Sequence, residues 1–123
     1  MILIDTDALI EILDKHSDAG MRLSEKVIAS GEEFCTSAIN MHEILYGYVK
    51  YSKSIDEILL LRVLEYTKAD ALLSSELEAA IPGRSNAELR SDAMIAAIAI
   101  NHGCKLLTGN RKDFENFKSI EFF

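Results

Sequence analysis

Met1-Ile2-Leu3-Ile4-Asp5-Thr6-Asp7 opens the chain, and its reading decides the fold. Four apolar residues ending on an acid read as a short buried strand with a carboxylate at its C-terminal end. In an open α/β sheet, that end is where ligands sit. Two further acids hold comparable places. Glu43 follows the capped segment Thr36-Ser37-Ala38-Ile39-Asn40, and Asp92 opens the run Ala93-Met94-Ile95-Ala96-Ala97-Ile98-Ala99-Ile100. Three acids, each at the mouth of a buried element, point to a carboxylate cluster that binds a metal.

Outward from that strand, helical and extended patterns alternate. Leu9, Ile10 and Leu13 give helical spacing to residues 7–13, and Met21, Leu23, Val27 and Ile28 continue it over 18–30, with Gly31 as a C-cap. Phe34-Cys35 reads as a second strand. Ser37 caps a helix that runs to about Lys50. Ile55 to Leu61 looks helical, while Val63-Leu64 with Tyr66 fits a short strand. Residues 69–81 predict a helix that Pro82-Gly83 stops. A polar loop is expected over 84–90, then a helix over 92–102 that is apolar nearly all round and so buried against a sheet. Lys105 to Thr108 reads as a strand, Gly109-Asn110 as a turn, 111–116 as a short helix and 120–122 as a last strand. The alternation implies an α/β sandwich of three layers, with a central parallel sheet of four to five strands flanked by helices.

At 123 residues the chain fits one domain, 1–123, with a core of its own. No apolar stretch approaches the roughly 20 residues needed to span a bilayer. The N-terminal run lacks a basic leader and is broken by Asp5, so no signal peptide is expected and a cytoplasmic setting follows. Cys35 and Cys104 stand far apart without a CxxC, which indicates neither a disulfide framework nor a zinc knuckle; burial as small hydrophobes is expected. A net charge of −7 argues against binding nucleic acid by bulk charge and favours a basic partner. A metal ion can invert the local field at one site.

Each acid also has a plain structural role. Asp5 and Asp7 suit the cap and first turn of a helix, Glu43 a solvated helix face, and Asp92 and Asp113 a helix start. Taken together they read differently. All fall along the C-terminal edge of a doubly wound sheet. Carboxylates within about 4 Å repel by roughly 4 kcal/mol per pair at an effective dielectric near 20. No Lys or Arg adjoins Asp5, Glu43 or Asp92 in sequence. A hard cation such as Mg²⁺ or Mn²⁺ offsets that repulsion with carboxylate and water ligands.

Four stretches in order resemble the motifs of PIN domains: Ile4-Asp5-Thr6-Asp7, Thr36 to Gly47, Asp92 to Ala99, and Leu107 to Phe114. The likeness is nearest to VapC-type toxin ribonucleases of prokaryotic toxin–antitoxin pairs, and it runs the full length. It implies that Asp5 and Asp92 hold a catalytic Mg²⁺, with Mn²⁺ as the alternative, and that Glu43 completes the cluster. Thr6, Thr108 and Asn110 would support the site. Asn110 stands where many relatives carry Asp, and Asp113 is the nearest remaining carboxylate. The implied chemistry is hydrolysis of RNA phosphodiester bonds, with Glu43 or Asp113 orienting the attacking water or taking its proton. The resemblance also implies a homodimer and a small antitoxin that inserts a basic residue into the acidic pocket. Apolar residues over 7–30 and 37–61, Ile55, Ile58, Leu59, Leu60 and Leu61 among them, are candidate contacts for an antitoxin helix, or simply core.

Other readings meet specific obstacles. His42-Glu43 lacks the second His of HExxH, because Tyr46 stands there. A phosphoacceptor receiver needs an adjacent acidic pair and a Lys after a late strand, yet Asp5 and Asp7 are separated and Lys105 precedes its strand. Two alternatives keep the PIN fold: a nuclease of RNA processing or quality control, and a catalytically silent protein-binding module.

Overall fold

The computed structural model describes residues 1–14 and 16–123. In chain order the elements are β1 (Ile2–Ile4), α1 (Thr6–Leu13), α2 (Asp18–Ser30), β2 (Phe34–Ser37), α3 (Ala38–Lys50), α4 (Asp56–Leu59), β3 (Val63–Leu64), α5 (Lys68–Ala80), α6 (Ala87–Asn101), β4 (Lys105–Leu107) and α7 (Arg111–Phe114). The strands pair in parallel in the order β3-β2-β1-β4. β1 is central and buried throughout, which is why its sequence is a continuous apolar run. Its side chains alternate between faces. Leu3 joins Cys35, Leu106 and the buried residues of α6, whereas Ile2 and Ile4 join Ala8, Leu9, Val27 and Ile44. Helices therefore cover both faces, giving the layered α/β architecture that the alternation implies.

Strand order places the site. From β1 the sheet grows one way through β2 and β3, and β4 returns to the other side of β1. The chain direction thus switches between β1 and β4, and the crevice outside their C-terminal ends is where such sheets receive ligands. Asp5 leaves β1 at that point and Thr108 leaves β4.

Several elements differ from their sequence readings. The sheet has four strands. The stretch 120–122 contributes only an isolated parallel bridge between Leu106 and Phe122. Ser119, at φ 72°, turns the chain just before it, leaving too few residues for a ladder. The polar loop over 84–90 and the helix start at 92 are both corrected. Asn86 caps α6 by accepting the Leu89 N–H at 2.8 Å, and Ala87 is its first residue. Ala87, Glu88 and Arg90 are exposed, so this end of the helix shows no apolar period. Val63-Leu64, by contrast, is the short strand that its sequence suggests, paired with Thr36 and Ser37.

Ser37 caps α3 as expected, and Gly31 at φ 68° ends α2 in the left-handed conformation. Cys35 and Cys104 are free and buried, as expected of small hydrophobes. Distant in sequence, they meet in one core cluster, where the neighbouring Cys104 thiol and burial hold Cys35 well above the usual thiol range. Among the described residues, no helix is long and apolar enough to cross a membrane.

Candidate active site

Asp5 is the N-cap of α1 and only 8 % exposed, so its carboxylate needs partners in the protein. It has three. Oδ1 accepts the Thr6 N–H at 2.9 Å and the Asn40 Nδ2–H at 2.8 Å, and Oδ2 accepts the Thr108 hydroxyl at 2.7 Å. Asn40 is fully buried and makes two further links. Its Oδ1 accepts the Ser37 hydroxyl at 2.6 Å, and its Nδ2 donates to Thr6 Oγ1 at 3.0 Å. Thr6 in turn donates to Glu43 Oε1 at 3.2 Å. A continuous set of hydrogen bonds thus joins the ends of β1, β2 and β4 to the second turn of α3.

Glu43, Asp92 and Asp113 line one cavity of about 650 Å³, together with Glu88 and the first residues of α6. Asp5 does not line it, but its charge reaches both Glu43 and Asp92. Burial, then the charges of Asp113, Asp5, Glu43 and Glu88, push the Asp92 carboxyl up to about 7. Burial also raises Glu43 and Asp5, against the hydrogen bonds that favour their ionised forms. All four of these charges are negative. Cations in recorded ion pairs serve other acids: Arg62 pairs with Glu33, Arg90 with Glu78 and Lys105 with Glu32.

The cavity therefore concentrates unbalanced hard oxygen donors, which suits a divalent cation. Among the described residues, no three Asp, Glu, His or Cys side chains are close enough to enclose an ion alone.

A second groove of about 540 Å³ runs from Glu43 between α1 and α3 past Ile10, Leu13 and Tyr51. The apolar cluster over 55–61 divides: Ile58 is core, while Leu59 and Leu60 are exposed.

The residues expected from sequence fall as follows. Asp5, Thr6, Glu43 and Thr108 form one hydrogen-bonded set, and Asp92 and Asp113 face Glu43 across the cavity. Asp92 does not start its helix but lies in the second turn of α6, beyond the reach of the N-terminal dipole, so dipole compensation is not its role. Asn110 turns away from the cavity: its Nδ2 donates to Asp7 Oδ2 at 3.3 Å, and its N–H donates to Thr108 Oγ1 at 3.0 Å. Asp7 also accepts the Gly109 N–H at 2.9 Å, and so ties the loop after β4 to α1.

Sequence reasoning passed over Asn40 and Glu88, and read Asp7 only as a cap or first-turn acid. Asn40 offered one signal, an amide at the third position of a Ser-capped helix in an otherwise apolar stretch.

The sequence of residues 2–120 matches the family model described as PIN domain. No curated protein matches the chain. Several solved structures share the fold. VapBC2 from Rickettsia felis, bound to a DNA fragment from its promoter, aligns at a TM-score of 0.74 with 22% identity over 100% of this chain and 98% of that one. FitAcB from Neisseria gonorrhoeae aligns at 0.78 with 20% identity over 100% and 97%. DNA-bound VapBC from Salmonella typhimurium aligns at 0.77 with 22% identity over 100% and 98%. At such identities the likeness is one of fold.

Proposed function

We infer that this chain, which belongs to the PIN-domain family, is a divalent-metal-dependent endoribonuclease and the toxin half of a toxin–antitoxin pair. One observation carries the nuclease reading: Glu43, Asp92 and Asp113 share a cavity, within reach of the Asp5 charge, and among the described residues no Lys or Arg forms an ion pair with them. Asp5 and Asp92 are the residues that would hold Mg²⁺ or Mn²⁺, with Glu43 completing the set. The chemistry such an ion supplies is neutralisation of charge at the scissile phosphate and activation of water.

The chain's own groups do the rest. Thr108, Asn40 and the Thr6 N–H hold Asp5 in one orientation. Thr6 directs Oε1 of Glu43. Glu43 and Asp113 line the cavity and would orient the attacking water or accept its proton. An acidic cavity repels a polyanion until its charge is balanced, so RNA binding and ion binding go together.

Partners follow the same reading. VapBC and FitAB neighbours are complexes, and a toxin–antitoxin complex from Klebsiella pneumoniae also shares the fold. The groove that begins at Glu43 suits an antitoxin segment that brings a basic residue to the acids. The working unit is a homodimer of this single nuclease domain in the cytoplasm.

The test is cleavage of a single-stranded RNA oligonucleotide by the purified protein, with Mg²⁺ or Mn²⁺ and again with EDTA. Cleavage is expected only with the ion. Equal cleavage in EDTA would overturn the reading.

A further inference from the structure

A carboxylate offers about four acceptor positions, two on each oxygen. In Asp5, Oδ1 is filled by the Thr6 N–H at 2.9 Å and the Asn40 Nδ2–H at 2.8 Å. Among the described residues, Oδ2 takes only the Thr108 hydroxyl at 2.7 Å, which leaves one position open. The amide that fills Oδ1 cannot turn over. Its own oxygen accepts the Ser37 hydroxyl at 2.6 Å, and a flip would set that oxygen against the Asp5 carboxylate. Asn40 and Ser37 are both fully buried, so no water stands in for either partner.

We propose that Asn40 is a positioning residue that limits Asp5 to one ligand oxygen and so biases the acidic pocket toward small octahedral cations over Ca²⁺. The proposal rests on the reading that the pocket takes a divalent ion. Mg²⁺ demands near-octahedral geometry with few carboxylates, and Mn²⁺ shares its preference for oxygen ligands. Ca²⁺ takes six to eight oxygens and readily uses both oxygens of a carboxylate. With Oδ1 capped, Asp5 cannot serve it that way. Asn40 also donates to Thr6 Oγ1 at 3.0 Å, which leaves the Thr6 proton for Glu43. One amide thereby orients two acids.

Calorimetric titration with Mn²⁺ and with Ca²⁺ tests this on the intact wild-type chain, Asn40→Leu and Asn40→Ser. Loss of an outer partner costs about 10–100-fold in metal affinity. Asn40→Leu is expected to weaken Mn²⁺ by at least about tenfold while Ca²⁺ binding holds or tightens, so the Mn²⁺ preference collapses. Asn40→Ser shortens the reach to Oδ1 and shifts the preference the same way, and it serves if the Leu variant does not fold. Thr108→Val leaves Oδ1 capped and is expected to keep the preference. An Asn40 variant with lowered urea stability but the wild-type Mn²⁺-to-Ca²⁺ ratio overturns the proposal. A wild-type chain that binds neither ion overturns the reading of the pocket as well.

Discussion

The Thr108 hydroxyl donates to Asp5 Oδ2 at 2.7 Å and ties the C-terminal end of β4 to that of β1. The bond lies where the strand order switches, so the topology of the sheet and the orientation of its central acid share one contact. Asp5 is both a helix cap and a member of the acidic site. The two roles coexist because Oδ1 serves the cap and Oδ2 retains an open position.

Asp5→Asn and Asp92→Asn are expected to lower RNA cleavage by at least about a hundredfold, beyond the cost of losing an outer partner. Each keeps the side-chain shape, so circular dichroism should remain that of the parent. Cleavage at the parental rate by either variant would remove that acid from the site.

Asp92 titrates at about 7 in the folded chain, against an ordinary value of 3.8. The folded chain thus keeps a proton that the unfolded chain has released. Stability without metal is therefore expected to fall as pH rises from about 4 to about 7, then to level off. Asp5 and Glu43, also raised by burial, act in the same direction. Asp70 acts oppositely: against its burial, hydrogen bonds from Thr67 and Asn101 hold it low, and that stabilisation is lost under stronger acid. Urea midpoints in EDTA from about pH 2 to about pH 8 read both slopes.

Adding Mn²⁺ at about a hundred times its Kd should stabilise the fold by about 2.7 kcal/mol. The rise in Tm is expected to be larger at pH 7.5 than at pH 5.5, since ions compete with the Asp92 proton below about 7. A Tm indifferent to Mn²⁺ at pH 7.5 would count against Asp92 as a ligand.

Gly109→Ala tests the clamp between the loop after β4 and α1. A Cβ there would lie 2.5 Å from Asp7 Oδ2. Displacing that carboxylate loosens the Gly109 N–H bond at 2.9 Å and the Asn110 bond at 3.3 Å. A loss of about 0.5–1.5 kcal/mol in urea unfolding, the worth of a hydrogen bond, is expected.

Much of this fold was legible because local signals agreed with their surroundings. Ser37 before a helical apolar pattern marked the start of α3, and the run Ile2 to Ile4 marked a strand buried on both faces. The opening of α6 was illegible for the opposite reason: Ala87, Glu88 and Arg90 meet water, so nothing imposes an apolar period on them. The strand expected at 120–122 shrank to one bridge because strand propensity says nothing of how many partners remain to pair with. Asp5, Glu43 and Asp92 stood out as acids at element ends, whereas Asn40 did not. Its role depends on Asp5 and Thr6, which only the folded sheet brings to it.

The position of β4 beside β1 has a consequence for the order of events in synthesis. The first acid is at residue 5 and the last at residue 113, and they are brought to one site only when Lys105–Leu107 pairs with Ile2–Ile4. That pairing closes nearly the whole chain as one loop, the kind of long-range step that forms late in folding. A nascent chain still missing its final segment holds Asp5 but lacks Thr108 to orient it and Asp113 to face it. The acidic centre is thus absent from every copy that stops short of β4 and arises together with the pairing of β4 on β1.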